Sequence, residues 1–546
     1  MLKVFNVYFL IMKYANLFIF IICLNTCVVR SQILPLIPYP AEIKQGAGTF
    51  EIKSTTKIML KTDTTEVKNV CDFFLTVINP STGLNIGYGS SSDLPIMVEL
   101  DSLITHPEGY HLKVTTKDIT IQAQTPTGIF YAFQTLRQLL PPEIESRTVV
   151  TNRAWKIPVV EINDMPRFPY RGMMLDVVRH FLPINDIKRF IDLMAMQKYN
   201  YLHLHLTDDQ GWRIEIPGYP KLQTISAWRR ETLIGHLNDD QPKYDGIRHG
   251  GYYTQAELRE LVQYAADRFI TIIPEIEMPG HATAVLAAYP EFACLSMNFE
   301  VACEWGVFPN LLCPREDTFL FLEHVLNEVM NIFPGKYIHI GGDECIKEQW
   351  QKSEFCYNTK RQNSLQTDAQ LQTWFMRRIA KFIQSHGRQV IGWDEILEGG
   401  DIPDAVIMSW RGEQGGIDAA NKGYYAIMTP HRYCYFNYYQ WGQRDKEPLA
   451  EIGYLTLSMV YQYEPVPKEL NEDQSQYILG AQGNLWSEYL KDRRQIEYMA
   501  FPRACALAEV TWTPSEQKSY VQFLNRWREY SKRLEMLNVN FARHNL

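Results

Sequence analysis

From Tyr170 onward the chain repeats one short theme eight times. "YRGMMLDV", "YNYLHLHLTDD", "FITIIPEIEMPG", "KYIHIGGDE", "QVIGWDE", "AVIMSW", "YYAIMTP" and "YILGAQGNLW" are apolar runs of strand length, most of them separated by helical patterns. Several are apolar at successive positions rather than alternate ones, as parallel strands covered on both faces are. Between them, "TQAELRELVQYAADR" opens on Thr254 with Glu257 three positions later, the layout of a capping box that satisfies the orphan amides of a helix start. "DAQLQTWFMRRIAKFIQSHG" keeps helical spacing and stops at Gly387. Eight such strands match a closed (β/α)8 TIM barrel, with a doubly wound open sheet as the competing architecture.

The barrel is not the whole chain. Before it, β-rich segments such as "TFEIK" and "YHLKVTTKDITIQAQ" alternate with polar turns, and the helix-like "GIFYAFQTLRQLLPP" closes the region. This predicts a small α+β domain over 32–160, followed by the barrel and a helical C-terminal end over 161–546. Residues 1–31 read as a secretory signal peptide, with Lys13 ahead of an apolar core from Leu17 to Leu24 and Met12 as an alternative start. A retained membrane anchor and lipidation at Cys27 are the alternatives. Export would place the protein in the periplasm, the cell envelope or the medium.

Ten cysteines in 546 residues are too few for a disulfide-built scaffold. Cys294, Cys303 and Cys313 share a loop-like stretch in which export permits a disulfide. No C-x-x-C pair supports a zinc site or a redox motif, and the expectation is no metal and no cofactor. Fifty-four basic against sixty-two acidic side chains, with no basic block, exclude a nucleic-acid partner. Oligomeric state is not legible.

Barrel chemistry collects at the C-terminal ends of the strands. Arg171 and Asp176 come with the first run, Asp208 and Asp209 with the second, and Glu275, Glu277 and His281 with the third. Asp343 and Glu344 end the fourth run, Asp394 and Glu395 the fifth, and Trp410, Tyr435, Asn437, Trp486 and Glu488 complete the rim. Acids and aromatics around one mouth, without a phosphate-binding glycine fingerprint, point to a neutral, hydroxyl-rich ligand. Tryptophan faces cover sugar rings, while carboxylates and arginine hold the hydroxyls.

Asp343 and Glu344 are adjacent, and desolvation together with repulsion from an ionised Asp343 favours the protonated form of Glu344, which then has a proton to donate to a leaving oxygen. Gly341 and Gly342 before them are expected to let a ligand approach the backbone. A plainer reading makes the two acids caps of the next helix. Two rival functions remain open at this point: a metal-dependent hydrolase built on His203, His205, His281 and His339, and a sugar-binding module without catalysis.

"YRGMMLDVVRHFLP", "HLHLTDDQGWR", "PEIEMPGH", "HIGGDE", "IGWDE" and "GNLWSEY" together resemble the glycoside hydrolase family 20 β-N-acetylhexosaminidases, over roughly Gln32 to Trp512. The resemblance implies an exo-acting enzyme that removes terminal β-linked N-acetylhexosamine from glycans or chito-oligosaccharides. The substrate's acetamido oxygen attacks the anomeric carbon and forms an oxazolinium ion, so two neighbouring acids suffice. By the same resemblance Glu344 is the general acid and then the base, and Asp343 orients the acetamido N–H. Tyr435 donates to the acetamido oxygen, and Asp208 or Asp209 supports Glu344 through His281. Arg171 and Glu488 bind outer hydroxyls, Asn437 lies near them, and Trp393, Trp410 and Trp486 wall the pocket. Asn437, in "YCYFNYY", stands where the family often has aspartate.

Overall fold

Each of the eight runs is a strand in the computed structural model, which describes residues 33–544. They are β1 (Tyr170–Asp176), β2 (Tyr201–His205), β3 (Thr271–Glu275), β4 (Tyr337–His339), β5 (Gln389–Trp393), β6 (Val406–Ser409), β7 (Ala426–Met428) and β8 (Ile478–Leu485). Sequential neighbours pair in parallel, and β8 returns to β1 in a register running from Gly480 opposite Tyr170 to Leu485 opposite Leu175. That last pairing closes the barrel and rules out the open sheet. β1 is buried at every position, as its unbroken apolar pattern requires.

The helices that cover the barrel start and stop on the signals written in the chain. Thr254 and Glu257 form the reciprocal capping box ahead of helix Gln255–Ala266, which buries Leu258, Leu261 and Ala265. Each such leucine contributes about 1.5–3 kcal/mol by leaving water. Thr367 and Gln370 cap helix Asp368–Ser385 in the same way, and Gly387 beyond it takes φ 73°, a left-handed turn that glycine adopts without steric cost.

The interior of the barrel changes character along its axis. At the strand-entry end Tyr170 and Tyr201 stack with ring centroids 4.6 Å apart, and Ile273, Ile391, Val406, Met408 and Ile427 continue the core. Toward the exit end the filling becomes polar: Glu275 meets His203 at 3.0 Å and His339 at 2.9 Å, and also bonds His205. These groups are fully buried, and their bonds to one another offset much of the cost of leaving water.

The N-terminal region is a seven-stranded mixed sheet in the spatial order Glu42–Ile52, Trp155–Asp164, Tyr110–Val114, Ile119–Ala123, Pro95–Leu100, Lys57–Leu60 and Gly87–Tyr88. Ile119, Ile121 and Ala123 are buried in alternation, and helices Thr65–Thr82 and Pro126–Leu139 meet through Phe74 and Phe133, stacked at 4.4 Å. Its last strand runs to Asp164, four residues past the boundary read from sequence. The sheet meets the barrel at the strand-entry end, where Lys198 pairs with Asp164 at 2.9 Å. The signal-peptide and Cys27 readings lie outside the described residues, and among the described residues no helix is long and apolar enough to cross a membrane. Of the three loop cysteines, Cys294 and Cys313 form a disulfide and Cys303 is free.

Candidate active site

The turn after β4 decides where the two adjacent acids point. Gly341 takes φ 63°, Gly342 φ 97° and Glu344 φ 48°, so three of four consecutive residues are left-handed. A Cβ on Gly341 would lie 1.7 Å from Glu277 Oε2, and one on Gly342 2.4 Å from Ile396 Cγ2. The glycines therefore make room for the protein's own side chains, not for a ligand as their position in the sequence suggests. Glu344 is not glycine, and its left-handed backbone is the strained conformation that clusters at functional sites. Neither acid caps a helix, because the next one, Glu348–Gln351, begins after Lys347.

The turn brings both acids to one imidazole. His281 Nε2 lies 3.5 Å from Asp343 Oδ2 and 3.5 Å from Glu344 Oε2. On its other edge Nδ1 meets Asp208 Oδ1 at 3.1 Å and Asp209 Oδ2 at 3.0 Å, so both candidate aspartates support the ring. Burial disfavours the imidazolium, but Asp208 and Asp343 outweigh it and push His281 well above the ordinary histidine range. Asp208, which burial alone would raise, is held well below the usual carboxylate range by Arg179 and His281. Asp343 is buried, whereas the Glu344 side chain is 35% exposed. The desolvation expected for Glu344 from sequence is thus not supplied by the protein alone.

Around this centre lies a cavity of about 230 Å³. Of the residues that the resemblance assigns to the site, ten line it; Arg171 and Asp209 do not. Arg171 is the second residue of β1, at the strand-entry end, 1% exposed and bonded to Glu108, Tyr131 and the carbonyls of Phe168 and Lys198. The arginine at the mouth is Arg179, just past the exit of the same strand, with Nη2 2.8 Å from Asp208 and its guanidinium 5.0 Å from the Trp486 ring. The rule that barrel chemistry lies beyond strand ends, applied to "YRGMMLDVVRHF", selects Arg179.

Three tryptophans and a tyrosine wall the cavity. Trp393, almost wholly buried, donates Nε1 to Glu275 at 2.9 Å; Trp410 donates to Glu395 at 3.0 and 3.2 Å. Tyr435 lies face to face with Trp410 at 6.1 Å and tilts toward Trp486 at 6.2 Å. Within the tyrosine-rich stretch, Tyr433 instead stacks on Tyr463, and Tyr435 and Tyr438 line the cavity. Sequence reading missed Tyr438 and Glu451, which reach the mouth through a short parallel pairing of Tyr438–Tyr439 with Glu451–Tyr454. Burial, reinforced by Asp343 and Asp394, pushes Glu395 up to about 9.

Of the histidines proposed as metal ligands, His203 and His205 are engaged by neighbouring side chains on both ring nitrogens. His203 bonds Glu275 through Nε2 and Gln482 through Nδ1, and His205 bonds Glu275 and Asp208. What the cavity leaves unmatched is a set of buried polar atoms: Asp343 Oδ1, Asn437 Oδ1, Glu488 Oε2 and Trp486 Nε1 have no hydrogen-bond partner. Groups this buried cost about 1–3 kcal/mol each when unpaired, so their convergence on one cavity marks it as a ligand site.

The model of glycosyl hydrolase family 20, catalytic domain, matches residues 168–515, and that of domain 2 of the same family matches 34–165. The β-hexosaminidase of Porphyromonas gingivalis is 44% identical over 513 residues, covering 93% of this chain, which spans 64% of that protein's length. The β-hexosaminidase of Akkermansia muciniphila is 36% identical, covering 78% of this chain and 83% of its own. Among solved structures, the exo-β-N-acetylglucosaminidase of Vibrio harveyi in complex with N-acetylglucosamine superimposes with a TM-score of 0.83 at 29% identity, over 94% of this chain and 79% of that one. The family 20 β-N-acetylhexosaminidase of Streptomyces coelicolor gives 0.81 at 29% identity, over 94% and 98%. Two family models that together span the small sheet and the barrel show that the chain belongs to glycosyl hydrolase family 20.

Proposed function

We propose that the chain is an exo-acting β-N-acetylhexosaminidase that releases terminal β-linked N-acetylhexosamine with retention, using the substrate's acetamido group as nucleophile. The observation that carries this reading is the placement of Asp343 and Glu344 on one edge of His281, with their carboxylate oxygens within 4.8 Å of each other. Inverting glycosidases need about 6.5–9.5 Å between their carboxyls to seat a water, and ordinary retaining ones set the two on opposite sides of the bond. Two acids on one side of the anomeric centre fit neither plan. They fit a substrate that brings its own nucleophile.

The roles follow from position. Glu344, exposed toward the open side, protonates the leaving oxygen and then takes a proton from the incoming water. The bound sugar and leaving group supply the desolvation that the empty protein does not. Asp343 accepts the acetamido N–H on Oδ1 and offsets the positive charge of the oxazolinium ion. Tyr435 donates its hydroxyl to the acetamido oxygen, whose methyl packs into the corner of Tyr435 and Trp410. Arg179, not Arg171, holds the 3- and 4-hydroxyls with Glu488. Its guanidinium spends three bonds on Gln210, Asp176 and Asp208, leaving two of its five N–H groups for the sugar.

The test is dependence on the acetamido group. Nitrophenyl N-acetyl-β-glucosaminide should turn over and the plain β-glucoside should barely react. A thiazoline analogue of the oxazoline should inhibit far more tightly than substrate binds, because the site complements the cyclised species. Efficient cleavage of the plain glucoside would show that the enzyme carries its own nucleophile and would overturn this reading.

A further inference from the structure

We infer that Glu451 is the specificity residue for the sugar's hydroxymethyl arm: it accepts the 6-hydroxyl and excludes substrates with an anionic group on that carbon. The inference rests on the proposed function and on the placement of the sugar it requires.

The cavity has two ends. Asp343, Glu344 and His281 occupy one. Arg179 lies between that centre, which it reaches through Asp208, and Glu488, on which its charge and that of Glu451 both bear. With the anomeric carbon at the first end, the acetamido group at Tyr435 and the 3- and 4-hydroxyls at Arg179 and Glu488, one polar substituent of the ring is still unmatched: the hydroxymethyl on C5. The lining groups not yet matched at that end are Asn437 and Glu451, with Tyr438 between them in the chain. They are held as a unit. The Glu451 N–H donates to the Asn437 carbonyl at 3.0 Å, and Glu451 pairs in register with Tyr438.

The chemistry of the pair is unequal. Asn437 is neutral, and its buried Oδ1 has no partner. Glu451 carries a carboxylate with no salt bridge among the described residues; its Oε1 accepts only the adjacent Ile452 N–H at 2.8 Å. Arg179 at this end is engaged by Asp176 and Asp208. The hydroxymethyl arm therefore meets two carboxylates and an amide oxygen, while the spare N–H groups of Arg179 are taken by the 3- and 4-hydroxyls. Such a set accepts hydrogen from a neutral hydroxyl and repels a sulfate, a phosphate or a uronate carboxylate at C6. Glu451 also supplies, from a different strand, the carboxylate that Asn437 lacks.

The experiment measures kcat/KM of wild type and Glu451→Gln on nitrophenyl N-acetyl-β-glucosaminide, its 6-deoxy analogue and its 6-O-sulfate. Wild type should lose roughly 10-fold or more on removal of the 6-hydroxyl, on the scale of a hydrogen bond to a charged group, and more on sulfation. In Glu451→Gln the preference for parent over 6-deoxy substrate should shrink by about 10-fold, and the penalty for the 6-sulfate should fall by a similar factor. Thermal unfolding of the isosteric variant checks that the site is intact. Equal fold-changes for all three substrates would overturn the assignment of Glu451 while leaving the proposed function standing. Absence of turnover by wild type on the unsubstituted parent would instead overturn the function itself.

Discussion

Two buried arginines bracket the first barrel strand, and the protein treats them in opposite ways. Arg171, at the entry of β1, places all five N–H groups: two on Glu108, one each on Tyr131 and the carbonyls of Phe168 and Lys198. Arg179, past the exit, has three bonds and two N–H groups to spare. Both are desolvated and both face carboxylates, so burial and charge do not tell them apart. The unspent hydrogen-bonding capacity does. The first network is complete and welds the small sheet to the barrel floor; the second is complete only with a ligand, as the unpaired oxygens of Asp343, Asn437 and Glu488 around it show. Perturbed ionisation alone is therefore a poor guide to function in this fold; what marks the site is the convergence of unmet hydrogen bonds on one cavity.

The largest effect that separates the two ends concerns Glu344. Glu344→Gln should lower kcat by about 10²–10⁴-fold on a glycoside whose leaving group needs protonation, and by less on an activated aryl glycoside. The melting temperature should stay close to that of wild type, because the side chain is 35% exposed and glutamine preserves its shape. Equal losses on good and poor leaving groups would remove Glu344 from the acid role.

A matched pair of lysine substitutions tests the comparison directly. Arg179→Lys keeps a cation for Asp176 and Asp208 but loses the planar fork, and kcat/KM should fall by roughly 10²-fold with a modest change in stability. Arg171→Lys leaves at least two acceptors without a donor at the domain interface, at about 1–3 kcal/mol each. Its melting temperature should drop while kcat/KM of the folded fraction stays within about 2-fold of wild type. A raised KM for Arg171→Lys at unchanged stability would reverse the assignment of the two arginines.

The same contrast explains what could be read in advance. All eight barrel strands were legible because apolar runs at successive positions have few other solutions, and the Thr254 and Gly387 helix boundaries carry their own chemistry. Asp343, Glu344 and His281 were legible because they sit at the ends of such runs. Arg171 was misplaced because a motif lists residues without saying which end of the strand they occupy. The glycines at 341 and 342 were assigned to ligand access because nothing local in the sequence shows that Glu277 and Ile396 fill that space. Glu451 was invisible for a similar reason: a two-residue parallel pairing across a tyrosine-rich loop, not a periodic pattern, brings it to the mouth.

The smallest predicted effect is a pH dependence confined to the incomplete end. Burial lifts Glu488 to about 7; Arg179 pulls against it, and Asp176 and Glu451 push with it. Above about pH 7 the group is a carboxylate that accepts a sugar hydroxyl with full charge, and below it a neutral acid that accepts more weakly. KM should therefore rise by a few-fold as pH falls through about 7, while kcat follows the separate titration of the groups around Glu344. Glu488→Gln should flatten the KM profile and hold it at a raised value. Glu451→Gln, by removing one of the negative charges that hold Glu488 up, should move the midpoint to lower pH without abolishing it. A KM profile that ignores both substitutions would mean that the outer end is as fully satisfied as the barrel floor, and the contrast between the two arginines would then lose its functional meaning.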